Sequence, residues 1–284
     1  MLNALSFDVD ELETTMRESV GLPPVESPLF LVENTHHTLD LLREAGTKAT
    51  FFVNGRSVAP HPGLVARIAE EGHEIGAHSY AHRFVSDYGS VDEFREDLQR
   101  CIEIIDRETG RRPIGYRAPG NTLFRNRGPV LEVLAELGFR YDSSLPAVAS
   151  RAQHGYTRGP ERPFVWENGI VEFPMPCVHR FGLRWPVMGA HVLRLLPYAL
   201  TAWSLRALNR SGAPGFLYAH SFELFDQPVT RDCLWFSLGQ RVYLARRGAQ
   251  MQRKLHQLLS DFEFGPYRDF LDGVSGELPE LAFA

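Results

Sequence analysis

The chain has 284 residues, a formal net charge of -5, and 44% hydrophobic and 23% charged residues. That balance is ordinary for a globular protein and argues against a nucleic-acid backbone or an anionic membrane as the main partner. At this length one large core is affordable and two domains are not required. Cys101, Cys177 and Cys233 are odd in number and lack a CxxC spacing, which argues against a disulfide framework or a cysteine-based zinc site. They read as reduced core thiols of a cytoplasmic protein, an expectation that agrees with the absence of a leader pattern in residues 1–8.

Leu5 to Phe7 reads as a short buried strand running into Asp8-Val9-Asp10-Glu11. Residues i and i+2 of an extended chain share a face, so Asp8 and Asp10 project together. Two adjacent carboxylates are best tolerated beside a cation, with an exposed acidic turn as the alternative. Pro23 to Pro28 is loop-like, and the spacing of Leu39, Leu41, Leu42 and Ala45 predicts a helix over 33–45 closed by Gly46. His36 and His37 sit in it as surface or packing residues. A β-branched and aromatic strand, Thr47 to Val53, follows.

A helix from Pro62 to Glu71 leads to a strand, Glu74 to Ala77, which delivers His78. On a helical turn His78 and His82 would stand roughly 5–6 Å apart on one face and could share a divalent metal. Two histidines four apart are also an ordinary surface pattern. Ser90 with Glu93 is a capping box opening the helix that carries Phe94, Leu98, Cys101, Ile102 and Ile105. The strand Ile114 to Tyr116 runs into Arg117-Ala118-Pro119-Gly120-Asn121. A helix over 128–137 closes at Gly138 and feeds a strand that ends in Asp142-Ser143-Ser144.

Pro146 to Pro163 is polar and irregular, a surface loop or an excursion over the site. Ile170 to Pro174 is a further strand. Trp185 to Leu208 is apolar but interrupted by Arg194 and Pro197, so it lacks the ~20 continuous apolar residues of a spanning helix. A buried helix pair is favoured there over a membrane-surface helix, which would suit a lipid-linked substrate. Phe216 to His220 is a strand ending in a histidine, with Glu223 just beyond and a partly amphipathic stretch from Met251 to Phe262. The alternation of strands and helices predicts a parallel sheet or barrel, whose active sites form at the carboxyl ends of the strands. Asp8, Asp10, His78, His82, Arg117, Asp142 and His220 all fall at such ends.

Five motifs in this order, Ser6-Phe7-Asp8-Val9-Asp10, His78-Ser79-Tyr80-Ala81-His82, Arg117-Ala118-Pro119, Asp142-Ser143-Ser144 and Leu217-Tyr218-Ala219-His220, resemble those of the NodB-type polysaccharide deacetylases, carbohydrate esterase family four. Gly189 to Tyr198 and His220-Ser221-Phe222-Glu223 look like the C-terminal extension of the exosortase-associated branch, linked to bacterial exopolysaccharide production. The resemblance implies an α/β fold, a distorted (β/α) barrel of seven strands, as one catalytic domain over 1–284 with an extension from about residue 185.

It also implies a metal site of Asp10, His78 and His82, with zinc foremost and cobalt, nickel or iron compatible with the same donors. Three protein ligands are the pattern of an open, catalytic site. The same resemblance makes Asp8 the base, held in place by Arg117, and His220 the acid that protonates the departing amine. Asp142 would orient and charge that imidazole. Ser79 and Pro119 would shape loops, and His73, His179 and His191 would be structural.

The implied reaction removes the N-acetyl group of an amino sugar in a saccharide or glycoconjugate. Its alternatives are a deformylase of a lipid-linked formamido sugar or a cyclic amidase, and, in another class, a non-catalytic metal- or saccharide-binding protein. Three departures bear on the substrate: Asp8-Val9-Asp10 replaces an adjacent aspartate pair, Gly120 stands where a bulky residue is usual and is expected to widen the sugar site, and Ser221-Phe222 replaces Pro-Trp.

Overall fold

The computed structural model describes residues 1–19, 30–123, 127–145, 160–180, 183–186, 189–226, 247–274 and 278–283. The loop expected over 23–28, most of the 146–163 excursion and Cys233 lie outside them. In chain order the strands are β1 (Asn3–Val9), β2 (Thr50–Val53), β3 (Glu74–Ala77), β4 (Gly115–Tyr116), β5 (Tyr141–Asp142) and β6 (Phe164–Trp166). They are followed by β7 (Val171–Glu172), β8 (Cys177–Arg180), β9 (Leu183–Pro186), β10 (Phe216–His220), β11 (Phe264–Gly265) and β12 (Glu280–Leu281).

One sheet runs β10-β1-β2-β3-β4-β5-β7-β6-β12, with β11 added on β1. Every pairing from β10 to β7 is parallel, and β6 then turns antiparallel to β7. This is the α/β architecture that the alternation of elements predicts. Seven strands are expected, whereas ten join the sheet, and among the described residues the path does not close. The additions β6, β11 and β12 are two or three residues long, too short to show a period in the sequence. β8 and β9 form a separate antiparallel pair.

A parallel sheet covered on both faces needs strands that are apolar throughout. Asn3–Val9 and Thr50–Val53 are buried at every position. Helices Leu31–Glu44, Val91–Thr109 and Arg127–Glu136 supply the cover. Ser90 caps the second of these by accepting from Glu93 N–H at 3.1 Å, and Gly110 ends it in the left-handed region. The core joins Phe7, Phe51, Leu98, Ile105, Leu131 and Leu217. A second cluster packs Phe52, Tyr141, Phe173, Phe216 and Tyr267.

The apolar stretch after Trp185 forms two helices, Ala190–Leu195 and Tyr198–Arg210. The pair is buried only in part. Leu193, Ala202 and Leu205 face the core, whereas Trp185, Leu195, Leu200 and Trp203 are between 37% and 50% exposed. No described helix is long and apolar enough to cross a membrane.

Candidate active site

The carboxyl ends of β1, β3, β4 and β10 converge. β1 carries Asp8, which lies in register beside His220 of β10, so a residue near the N-terminus and one more than two hundred positions later are sheet neighbours. Asp10 follows two residues after Asp8 and is 4% exposed.

His78 and His82 do not lie on a helix. They flank a loop beyond β3 in which Ser79 and His82 both take positive φ, 58° and 56°. Non-glycine residues reach that region only when their surroundings hold them there. Several anchors do so. Asp97 accepts from Tyr80 N–H at 2.7 Å and Ala81 N–H at 2.9 Å. Ser79 Oγ accepts from His82 N–H at 3.1 Å. The Ser79 and Tyr80 carbonyls accept from Gly55 and Arg56 N–H, and Asn54 Nδ2 donates to Tyr80 O at 3.2 Å. The imidazoles end 5.2 Å apart between centroids, close enough to share an ion without helical geometry.

His78 Nε2 stands 3.7 Å and His82 Nε2 3.3 Å from Asp10 Oδ2. One donor atom from each of Asp10, His78 and His82 lies within 4.8 Å of the other two. Asp10 Oδ1 is buried with no hydrogen-bond partner, a state a lone carboxylate oxygen leaves by binding a cation. The Arg117 carbonyl engages His78 Nδ1 at 2.7 Å, which fixes the ring and directs Nε2 toward Asp10. Burial raises the Asp10 carboxyl, but His82 and His78 outweigh it and hold the group far below the usual carboxylate range. Burial lowers His78, against the pull of Asp8 and Asp10, so that ring favours the neutral form that ligates. The donor set and the orphaned oxygen therefore fit a divalent metal.

Arg117 is fully buried and supports Asp8. Its Nη1 donates to Asp8 Oδ1 at 2.7 Å and Ser6 Oγ at 3.0 Å, and its Nη2 to Tyr267 Oη at 3.1 Å and Ser143 Oγ at 3.3 Å. Its guanidinium also lies 4.1 Å over the Phe52 ring. With Nη2 and Nε held by Tyr267 and Ser143, the rigid guanidinium keeps Nη1 in place against Asp8 Oδ1, which a flexible lysine would not do.

Asp142 stands apart from His220 in its contacts. Its Oδ1 accepts from Ser144 Oγ, and the side chain faces Glu172, its register neighbour on β7. Burial pushes the Asp142 carboxyl up to about 6 and Glu172 well above its usual value, the state of two buried acids sharing a proton. The carboxylate that the structure sets beside the His220 imidazole is Glu223. Glu223 Oε2 is 3.5 Å from His220 Nδ1 and accepts the His220 backbone N–H at 3.0 Å. Burial lowers the His220 imidazole, but Glu223, Asp8 and Asp10 outweigh it and raise it. Glu223 is itself held down at about 2 against burial by His220 and Arg194.

Gly120 does not open the site. It has φ +63°, and a Cβ there would meet the Phe84 ring at 2.7 Å, so packing already fills the space that a side chain would take. Of the other histidines, His73 Nδ1 accepts from Ala49 N–H at 3.1 Å inside the core and His179 pairs with Glu161 at 2.6 Å.

Residues 23–141 match the family model described as Polysaccharide deacetylase, and residues 143–272 match the model described as Domain of unknown function (DUF3473). The chain is 36% identical over 96 residues to the Peptidoglycan-N-acetylglucosamine deacetylase of Bacillus cereus, which is 34% of each chain. It is 39% identical over 85 residues to the Peptidoglycan-N-acetylglucosamine deacetylase PgdA of Listeria monocytogenes, 30% of this chain and 18% of that one. These matches thus cover about a third or less of the curated relatives' length. A crystal structure of a candidate polysaccharide deacetylase from Mycobacterium smegmatis superposes with a TM-score of 0.64 at 25% identity, over 99% of this chain and 92% of that one. Residues 23–141 thus carry a polysaccharide deacetylase domain.

Proposed function

We propose that this protein is a metal-dependent hydrolase that removes the N-acetyl group from an amino sugar of a saccharide or glycoconjugate. The observation that carries the reading is the gathering of three metal donors, buried Asp10 and His78 and half-buried His82, beside an Asp8 that pairs with Arg117 and lies in register with His220. The peptidoglycan deacetylases among its relatives support the substrate class. The Gly189–Tyr198 segment supports a place in the exosortase-associated branch.

Zinc held by Asp10, His78 and His82 would supply Lewis acidity to the acyl oxygen and the attacking water. Asp8 accepts the proton that the water gives up, in the orientation Arg117 imposes. His220 donates a proton to the sugar nitrogen as the C–N bond breaks, because an amine leaves as a neutral species and not as an anion.

The experiment is release of acetate against release of formate from N-acetyl and N-formyl amino sugars, alone and in oligomers, by zinc-loaded protein. Acetate from the N-acetyl compounds is the expected product. Ring opening of a cyclic ureide or imide with release of neither acid would overturn the reading.

A further inference from the structure

His220 is flanked by two residues that follow it in the chain, Phe222 and Glu223, and Glu223 is paired in turn with Arg194. Phe222 stacks on its ring at 4.8 Å between centroids with 13° between planes. Glu223, with no solvent exposure, lies 3.5 Å from Nδ1 through Oε2. The other oxygen of the same carboxylate, Oε1, is 2.9 Å from Arg194 Nε. Arg194 is 4% exposed and belongs to the helix Ala190–Leu195, which packs against β10. That close packing uses Gly189 before the helix, where an added Cβ would already touch the Tyr218 ring at 3.3 Å.

A buried carboxylate needs a compensating charge, and a carboxylate bridging two cationic side chains is fixed at both oxygens. The ion pair therefore does more than offset the burial of Arg194. It leaves the other oxygen 3.5 Å from His220 Nδ1, and a carboxylate beside one ring nitrogen sets the tautomer and orientation of a catalytic histidine.

We infer that Arg194 and Glu223 form a positioning pair for His220, through which the helix Ala190–Leu195 aims the acid of the reaction at the leaving nitrogen. The inference rests on the proposed function. In that reaction the water oxygen bonds to the acetyl carbon, and the C–N bond breaks with its electron pair going to nitrogen. The nitrogen takes its proton from His220 Nε2. An aryl acetate loses a phenolate, which needs no proton, so its hydrolysis does not depend on the aim of His220.

The test compares zinc-loaded wild type and Glu223→Gln on an N-acetylglucosamine oligomer and on 4-nitrophenyl acetate. The expected result is a fall in kcat on the amide of at least 10-fold, with KM little changed and ester hydrolysis within about threefold of wild type. Parallel falls on both substrates, or no fall on either, would overturn the inference. Thermal melting checks folding; should Glu223→Gln unfold, the charge-neutral double variant Glu223→Gln with Arg194→Met carries the same expected split between substrates. Wild-type protein that cleaves the ester but no N-acetyl sugar would refute the proposed function itself, a result distinct from loss of the split in the variant.

Discussion

The ion pair between Arg117 and Asp8 gives a stability prediction that can be worked from its surroundings. Arg117 has no solvent exposure and Asp8 is 3% exposed, with 2.7 Å between Nη1 and Oδ1. Removing one partner leaves the other charge buried and uncompensated, which costs about 3–5 kcal/mol. For a chain of 284 residues the entropy of unfolding is about 0.6 kcal/mol per kelvin, so a loss of about 4 kcal/mol lowers Tm by roughly 7 °C. Arg117→Met should show this loss in metal-free protein at pH 7. Asp8→Asn should cost less, because it also relieves the repulsion between Asp8 and Asp10. In the double variant no charge is stranded, so its loss should fall short of the sum by about 2–3 kcal/mol. Urea unfolding of the four proteins in chelator measures that coupling. Additivity to within about 0.5 kcal/mol would show that the two side chains do not act as a unit, and the clamp would have to be abandoned.

Three further outcomes are expected. His78→Ala should lose zinc affinity and activity together, whereas Asp8→Asn should keep zinc and lose activity; calorimetric titration with zinc separates the two, and an active Asp8→Asn would remove Asp8 from the mechanism. Gly115→Ala should lower the urea midpoint by an amount equivalent to about 1–3 kcal/mol, since its Cβ would fall 2.0 Å from Tyr141 Cζ; an unchanged midpoint would mean that β4 and β5 are not packed this closely. Asp142 and Glu172 have folded pKa values above their unfolded ones, so the stability they give is complete below about pH 4 and is lost as pH rises through about 6 and beyond. Glu172→Gln should flatten that decline in a series of melts between pH 4 and 8, and a slope equal to that of wild type would count against the shared proton.

The strand ends were legible because a parallel sheet leaves a simple trace: an apolar run, then chemistry, then a turn. Asp8, His78, Arg117 and His220 each follow such a run, and β1, β3, β4 and β10 lie where those runs predict. Contacts that depend on register between distant strands leave no such trace. Nothing local tells that Asp142 lies beside Glu172. The spacing of His220 and Glu223, three residues apart, was visible, but its meaning depends on a short 3₁₀ turn, Ser221–Leu224, that returns the carboxylate to the imidazole. The HxxxH spacing misled in the other direction: it fits a helical turn, whereas the two rings are brought together by a loop whose positive φ values are set by Asp97, Asn54 and Ser79. Arg194 reads as a break in an apolar stretch. Its partner becomes evident only when the helix is seated on β10.

The register of Asp8 with His220 also has a consequence for the order in which the site can assemble. The metal donors come from the first 82 residues and are joined through β1, β2 and β3, whereas the acid arrives with a strand that must close a loop of some two hundred residues. Contacts so distant in sequence form late, because the chain entropy of closing the loop is spent before any contact rewards it. A nascent or partly folded chain could then gather its metal donors while still lacking the proton donor. Hydrolytic competence would mark completion of the sheet at its β10 edge, and a fragment ending before Phe216 would retain the metal donors but could not protonate a leaving amine.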